Sequence, residues 1–95
     1  MPTTYQLFLG RDIPSGGHVS DADMTEFATS TIDKLFDGYT MQDVKGVWKG
    51  KHEDTMLVSF CTDNKDAVLQ VARTYKTKFK QDSVAIQELP AMSFV

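Results

Sequence analysis

Residues 55–61 read TMLVSFC, and residues 63–79 read DNKDAVLQVARTYKTKF. The first run carries apolar side chains on both alternating faces, which is typical of a central strand. In the second run the apolar residues recur at helical spacing, and Asp63 with Asp66 predicts the start of a helix. A central strand followed at once by an amphipathic helix indicates a domain of the α+β class.

The chain upstream of this unit predicts a strand, a loop and a first helix. Residues 3–9 are rich in Thr, Tyr, Phe and Leu, which favour a strand. Residues 11–19 contain a proline and two adjacent glycines, and this composition predicts an irregular loop. Ser20 with Asp23 forms a capping-box pattern ahead of residues 24–35, where apolar side chains again recur at helical spacing.

Two further strands complete the pattern. Residues 40–49 predict a strand, residues 50–54 a polar turn, and residues 83–89 a last strand that ends at Pro90. The order is strand, helix, strand, strand, helix, strand. Right-handed crossovers then predict a ferredoxin-like βαββαβ arrangement, an antiparallel sheet with both helices on one face. We expect a single α+β domain over residues 1–95.

Composition excludes several classes of function. The chain has 95 residues and a formal net charge of -3, so it lacks the dense positive charge of a nucleic-acid-binding surface. Its start shows neither a signal peptide nor a membrane span, which predicts a cytoplasmic location and no membrane partner.

A small domain with one uncovered sheet face favours a homo-oligomer. The single cysteine, Cys61, excludes an internal disulfide, and we expect it to be buried.

No metal site or cofactor is predicted. His18 and His52 are isolated in predicted loops and belong to no metal-binding spacing, so an ordinary surface role is favoured for both. The Gly16-Gly17 pair lacks the spacing of a phosphate-binding loop, although it permits close backbone approach to a ligand. No nucleophile motif is found, which argues against covalent catalysis.

The strongest candidate site residues flank the predicted hairpin turn. Trp48 precedes the turn and Glu53 lies within it. A Trp ring attracts cations by about 0.5 to 2 kcal/mol, and a carboxylate beside it suits an ammonium or a sulfonium group. The ordinary alternatives are a core Trp and a solvated turn Glu. Arg11 and Gln81 are the other polar candidates for ligand binding.

Residues 46–84 resemble the S-adenosylmethionine lyases of bacteriophages. The resemblance is carried by five short matches: an aromatic residue after Gly46-Val47, Glu53 ahead of Thr55, Cys61 followed by Asp63, Leu69-Gln70-Val71-Ala72-Arg73, and Gln81-Asp82-Ser83-Val84. The whole chain also resembles a bacterial family of small proteins of unknown function, notably in residues 5–10 and in the loop that leads into Ser20.

The lyase resemblance implies cleavage of S-adenosylmethionine to 5'-methylthioadenosine and homoserine lactone. It implies no cofactor and a homotrimer with sites between subunits, in the host cytoplasm if the protein is phage-encoded. Glu53 matches the essential carboxylate of the family, whereas Trp48 stands where the family has a tyrosine. Trp48 would then pack on the sulfonium or the adenine, and Gln81 and Arg11 would bind polar parts of the substrate.

Two alternatives to a lyase stay open. The same fold and an interface pocket also suit a non-catalytic oligomer that binds or sequesters a nucleotide-like small molecule. The other alternative is a purely structural or interaction module. Product formation separates a lyase from a sequestering protein, and stabilisation by a ligand separates both of these from a structural module.

Overall fold

The computed structural model describes residues 2–95, which form four strands and two helical segments. The strands are β1 (Thr3–Gly10), β2 (Thr40–Trp48), β3 (Lys51–Thr62) and β4 (Ala85–Leu89). The first helical segment runs through α1 (Asp21–Phe27), a π-helical stretch (Ala28–Ile32) and α2 (Asp33–Leu35), and the second is α3 (Lys65–Lys78). In residues 2–95 no helix has both the length and the apolar character needed to span a bilayer.

The sheet has the strand order β2-β3-β1-β4, and every neighbouring pair is antiparallel. Strand β1 is therefore next to β3 and β4, while each helical segment connects two strands that are not adjacent. This topology confirms the predicted ferredoxin-like α+β fold. Strand β3 lies between β1 and β2, as the apolar character of residues 55–61 on both faces indicated.

The core lies between the helices and one face of the sheet. Alternate residues of β1 and β3 are buried there together with the apolar stripes of both helical segments; these side chains include Tyr5, Leu7, Leu9, Met24, Phe27, Ile32, Met56, Val58, Phe60, Val68, Val71 and Tyr75. The rings of Phe27 and Tyr75 meet edge to face with centroids 5.2 Å apart. Both helical stripes predicted from the sequence thus face the core.

The structure confirms the predicted start of the first helical segment and differs from the predicted start of the second. The predicted capping box is present, since the Asp23 amide donates to the Ser20 hydroxyl at 3.0 Å and the Ser20 amide donates back to the Asp23 carboxylate. The predicted start of the second helix at Asp63 is wrong. Asn64 is the N-cap, because its side-chain oxygen is the one that accepts from the Ala67 amide, at 3.1 Å. The Asn64 amide itself donates to the Thr62 hydroxyl at 3.0 Å.

The predicted polar turn over residues 50–54 is also wrong. Lys49 and Gly50 alone form the turn, with φ values of 51° and 77°. Positive φ at both central residues belongs to the tight hairpin turn whose twist matches that of the strands. Residues 51–54 consequently extend β3, and Glu53 is a strand residue that lies directly opposite Gly46.

The other face of the sheet has no helix on it. Cys61 lies on this face opposite Thr4 and is exposed, so its predicted burial is wrong. The alternation of β3 turns Met56, Val58 and Phe60 towards the helices and Cys61 away from them. Trp48 is also on this face and is 68% exposed. The last strand begins at Ala85, two residues later than predicted.

Candidate functional site

A cavity of about 240 Å³ lies where β1 ends and the first residues of β3 pass the segment that leads into β4. It is lined by Gly10, Asp12, Pro14, Glu53, Asp54, Gln81, Asp82 and Ser83. A larger groove of about 420 Å³ lies between the first helical segment and β2 and contains none of the predicted site residues. We therefore place the candidate site at the smaller cavity, which brings Glu53 and Gln81 together.

The loop after β1 forms one wall of the cavity, and Arg11 closes this loop. The Arg11 amide donates to the Asp54 carbonyl at 2.9 Å, and the Val19 amide donates to the Arg11 carbonyl at 2.7 Å. The Arg11 guanidinium donates back to the Val19 carbonyl through Nε at 3.0 Å and Nη2 at 2.8 Å. Main chain and side chain of one residue thus hold both ends of the loop, with Asp12 between them.

The Arg11 guanidinium also makes two ion pairs. Its Nη2 lies 2.7 Å from Asp21 and its Nη1 lies 3.1 Å from Asp43, although the Arg11 side chain is only 7% exposed. The hydrogen bond to Asp21 raises the pKa of the guanidinium against the opposing effect of burial. Arg11 is next to the cavity in sequence, but its donors are directed away from the cavity lining. Its predicted role in ligand binding stays a prediction.

Glu53 projects from β3 on the face that carries no helix. Gly46 is directly opposite on β2 and has no side chain, so the space beside the Glu53 carboxylate is open. Trp48 is the diagonal neighbour of Glu53 across the hairpin, at a spacing of about 7 to 8 Å in such pairs. The two residues share one face, but Trp48 lies outside the cavity lining and Lys49 is 5.7 Å from its ring centroid.

Gln81 ties two walls of the cavity together. Its Nε2 donates to the Asp12 carbonyl at 3.2 Å and to the Phe79 carbonyl at 3.4 Å. Its Oε1 lies against Gly10, where an added Cβ would come within 3.2 Å of that oxygen. Glycine at position 10 therefore permits the close approach of the two segments. The side-chain Nε2 of Gln81 thus holds the loop after β1 against the segment that follows α3, and its Oε1 faces Gly10 at the end of β1.

Carboxylates dominate the electrostatics of the cavity. Asp54 is paired with Lys45 at 3.0 Å, and this hydrogen bond lowers the pKa of the Asp54 carboxyl. His18 lies 3.2 Å from Asp12 and 4.0 Å from Asp54. Within the described residues 2–95, no basic nitrogen lies within 4.0 Å of the carboxylates of Glu53 or Asp82.

The arrangement suits an organic cation. Residues 2–95 contain no group of three His, Cys, Asp or Glu side chains placed to hold a metal ion. The carboxylates instead line a concave space, and an exposed aromatic ring lies on the same sheet face as Glu53. Both features attract ammonium and sulfonium groups. Sequence reasoning missed Asp12, Asp54 and Asp82 as lining residues. Of these three residues, only Asp82 could have been found from the sequence, since it lies inside the Gln81–Val84 segment that resembles the phage lyases.

Solved structures share this fold at low sequence identity. A phage S-adenosylmethionine lyase in complex with S-methyl-5'-thioadenosine has a TM-score of 0.75 and 13% identity, over 94% of this chain and 81% of that chain. A phage S-adenosylmethionine lyase in the apo state has a TM-score of 0.69 and 14% identity, over 99% and 93%. CutA from Synechococcus elongatus, complexed with Bis-Tris, has a TM-score of 0.62 and 10% identity, over 100% and 87%.

These TM-scores show a common fold, and at identities of 10 to 14% they leave the activity open. No curated protein matches the sequence. A family model described as "Protein of unknown function (DUF3574)" matches residues 4–94.

Proposed function

The chain belongs to the family described as protein of unknown function (DUF3574), and we propose that it cleaves S-adenosylmethionine to 5'-methylthioadenosine and homoserine lactone. The observation that carries the proposal is the acidic cavity around Glu53, with the exposed ring of Trp48 on the same sheet face but outside the cavity lining. This cavity lies on a fold shared with a phage S-adenosylmethionine lyase solved with S-methyl-5'-thioadenosine. The structural similarity to the phage lyase supports a shared fold, and the chemistry of the cavity supports the choice of substrate.

The reaction needs little from the protein. An oxygen of the substrate carboxylate attacks the γ-carbon of the amino-acid chain, the bond between this carbon and sulfur breaks, and its electron pair stays on sulfur, which becomes the neutral thioether of 5'-methylthioadenosine. The substrate thus supplies its own nucleophile and leaving group, so no base and no cofactor is required. A site that holds the chain folded accelerates ring closure by orientation. Opposite charges are neutralised in this step, so a pocket that excludes water favours the transition state.

Each predicted residue receives a role in this proposal. Glu53 holds the sulfonium or the ammonium group, because its carboxylate has no basic partner within 4.0 Å in residues 2–95. Trp48 packs on the sulfonium or the adenine. Gln81 orients a polar edge of the ligand through its side-chain oxygen. Arg11 acts on the site by holding the loop that carries Asp12.

We also propose that the working assembly is a homotrimer whose sites lie between subunits. The cavity of about 240 Å³ is smaller than the roughly 300 to 1,000 Å³ of typical small-molecule pockets. The sheet face beside it, which carries Glu53 and Trp48, is not covered by a helix. A second copy packed on that face would enlarge the pocket and exclude water from it.

The proposal is tested by incubating the purified protein with S-adenosylmethionine and separating the products by chromatography. We expect 5'-methylthioadenosine and homoserine lactone to form with the wild type and not with Glu53→Gln. Asp37→Asn is the matched control, since this exposed carboxylate precedes β2 at the end away from the hairpin. If S-adenosylmethionine binds but stays intact, the protein is a sequestering protein and not a lyase. Absence of any shift in melting temperature would exclude both functions.

A further inference from the structure

We propose that the cavity selects dications, and that the decarboxylated form of S-adenosylmethionine binds it more tightly than S-adenosylmethionine and blocks it. The decarboxylated compound keeps the sulfonium and the ammonium group and lacks the carboxylate. The inference rests on the proposed function, because it concerns the ligand of that same site. It follows from the charges that line the cavity and from the absence of a basic side chain among its lining residues.

The cavity has more negative charge than its own neighbours neutralise. Four of its eight lining residues are carboxylates, Asp12, Glu53, Asp54 and Asp82, and none is basic. Lys45 neutralises Asp54, and His18 neutralises Asp12 only when protonated. Glu53 and Asp82 have no basic partner within 4.0 Å in residues 2–95, so at least these two carboxylates are available to a cationic ligand. A ligand with two positive charges matches this number.

S-adenosylmethionine also brings a carboxylate, for which the cavity has no cationic partner. The Arg11 guanidinium is turned towards Val19, Asp21 and Asp43. The Nε2 of Gln81 already donates to two backbone carbonyls. A further negative charge in this space is repelled by its walls. This repulsion weakens binding of the substrate.

Removing the carboxylate from the ligand removes the repulsion and the nucleophile together. The decarboxylated compound cannot form a lactone, so it would occupy the site without turnover. One like-charge contact a few ångströms away in a partly solvated site corresponds to about a tenfold change in affinity. We therefore expect an inhibition constant about tenfold below the KM for S-adenosylmethionine.

The experiment measures inhibition of 5'-methylthioadenosine formation by the decarboxylated compound in wild type, Asp82→Asn and Asp37→Asn. Asp82→Asn should raise the inhibition constant about tenfold and change the KM for S-adenosylmethionine by about threefold or less. The substrate loses both an attraction and a repulsion, whereas the inhibitor loses only an attraction. Asp37→Asn should change neither value. Unchanged melting temperatures would show that the variants are folded.

The outcomes separate this inference from the proposed function. An inhibition constant equal to or above the KM, or one that Asp82→Asn leaves unchanged, overturns the dication inference while turnover still supports the lyase. If the wild type forms no 5'-methylthioadenosine, the lyase proposal fails, and calorimetric titration with both compounds decides the charge preference. Equal affinity for the two compounds in that titration would overturn the inference.

Discussion

Replacement of Arg11 by methionine tests whether this residue holds the site together or binds the ligand. The Arg11 side chain is buried and donates twice to the Val19 carbonyl, at 3.0 and 2.8 Å. Methionine keeps an unbranched apolar stem but is shorter than arginine and has no donor. The variant therefore leaves the Val19 carbonyl without its two donors and removes both ion pairs to Asp21 and Asp43.

The cost can be worked out from these contacts. A buried carbonyl that loses its hydrogen-bond partners costs about 1 to 3 kcal/mol. The two aspartates are 95% and 71% exposed, so each ion pair contributes roughly 0.5 kcal/mol at most. We expect Arg11→Met to lower the free energy of unfolding by about 1 to 4 kcal/mol. The upper end of this range is a large part of the roughly 5 to 15 kcal/mol available to a small domain.

Urea titration followed by circular dichroism measures this loss, with Asp21→Asn and Asp43→Asn as controls that should each cost about 1 kcal/mol or less. Ligand binding is measured on the folded fraction of each variant. The reasoning is refuted if Arg11→Met keeps wild-type stability and loses ligand binding. That result would show that the guanidinium leaves Val19 to contact the ligand, as the sequence-based prediction of a binding role requires.

Four further outcomes are expected. Glu53→Gln should abolish turnover with a change in stability of about 0.5 kcal/mol or less, because its carboxylate is solvated; equal losses of melting temperature and activity would show a structural role instead. Trp48→Ala should weaken ligand affinity by about 1 to 3 kcal/mol and Trp48→Tyr should keep most of it, so wild-type affinity in the alanine variant would exclude the contact. Burial raises the pKa of Tyr75 from 10.0 to about 12, so this residue contributes stability that is complete below pH 10 and is lost as the pH rises through 12. Tyr75→Phe also removes the 2.6 Å hydrogen bond from the Tyr75 hydroxyl to the Gly10 carbonyl. In urea titrations between pH 9 and pH 11, this variant should therefore lose less stability than the wild type. Light scattering should give the mass of a trimer, and a stable monomer at micromolar concentration would contradict sites between subunits.

The fold could be predicted from the sequence because its signals are local. Apolar side chains spaced two residues apart indicate strands, and those spaced three to four residues apart indicate helices. Ser20 and Asp23, which span only four residues, mark the start of the first helix. The order of these segments and the handedness of crossovers then leave few arrangements of the sheet. The same local signals were ambiguous at the hairpin, where polar residues 51–54 suit a turn as well as an exposed strand.

The sequence by itself therefore determined the strand and helix order, the ferredoxin-like arrangement and the choice of Glu53 and Trp48 as candidate ligand contacts. Only the tertiary structure decided that Glu53 is a strand residue opposite Gly46, that Arg11 is buried, and that Asp82 reaches the same cavity. The physical reason is sequence separation. The hydrogen bond from Gln81 to the Asp12 carbonyl joins residues 69 positions apart, and packing of the whole sheet, which no local propensity encodes, brings them together.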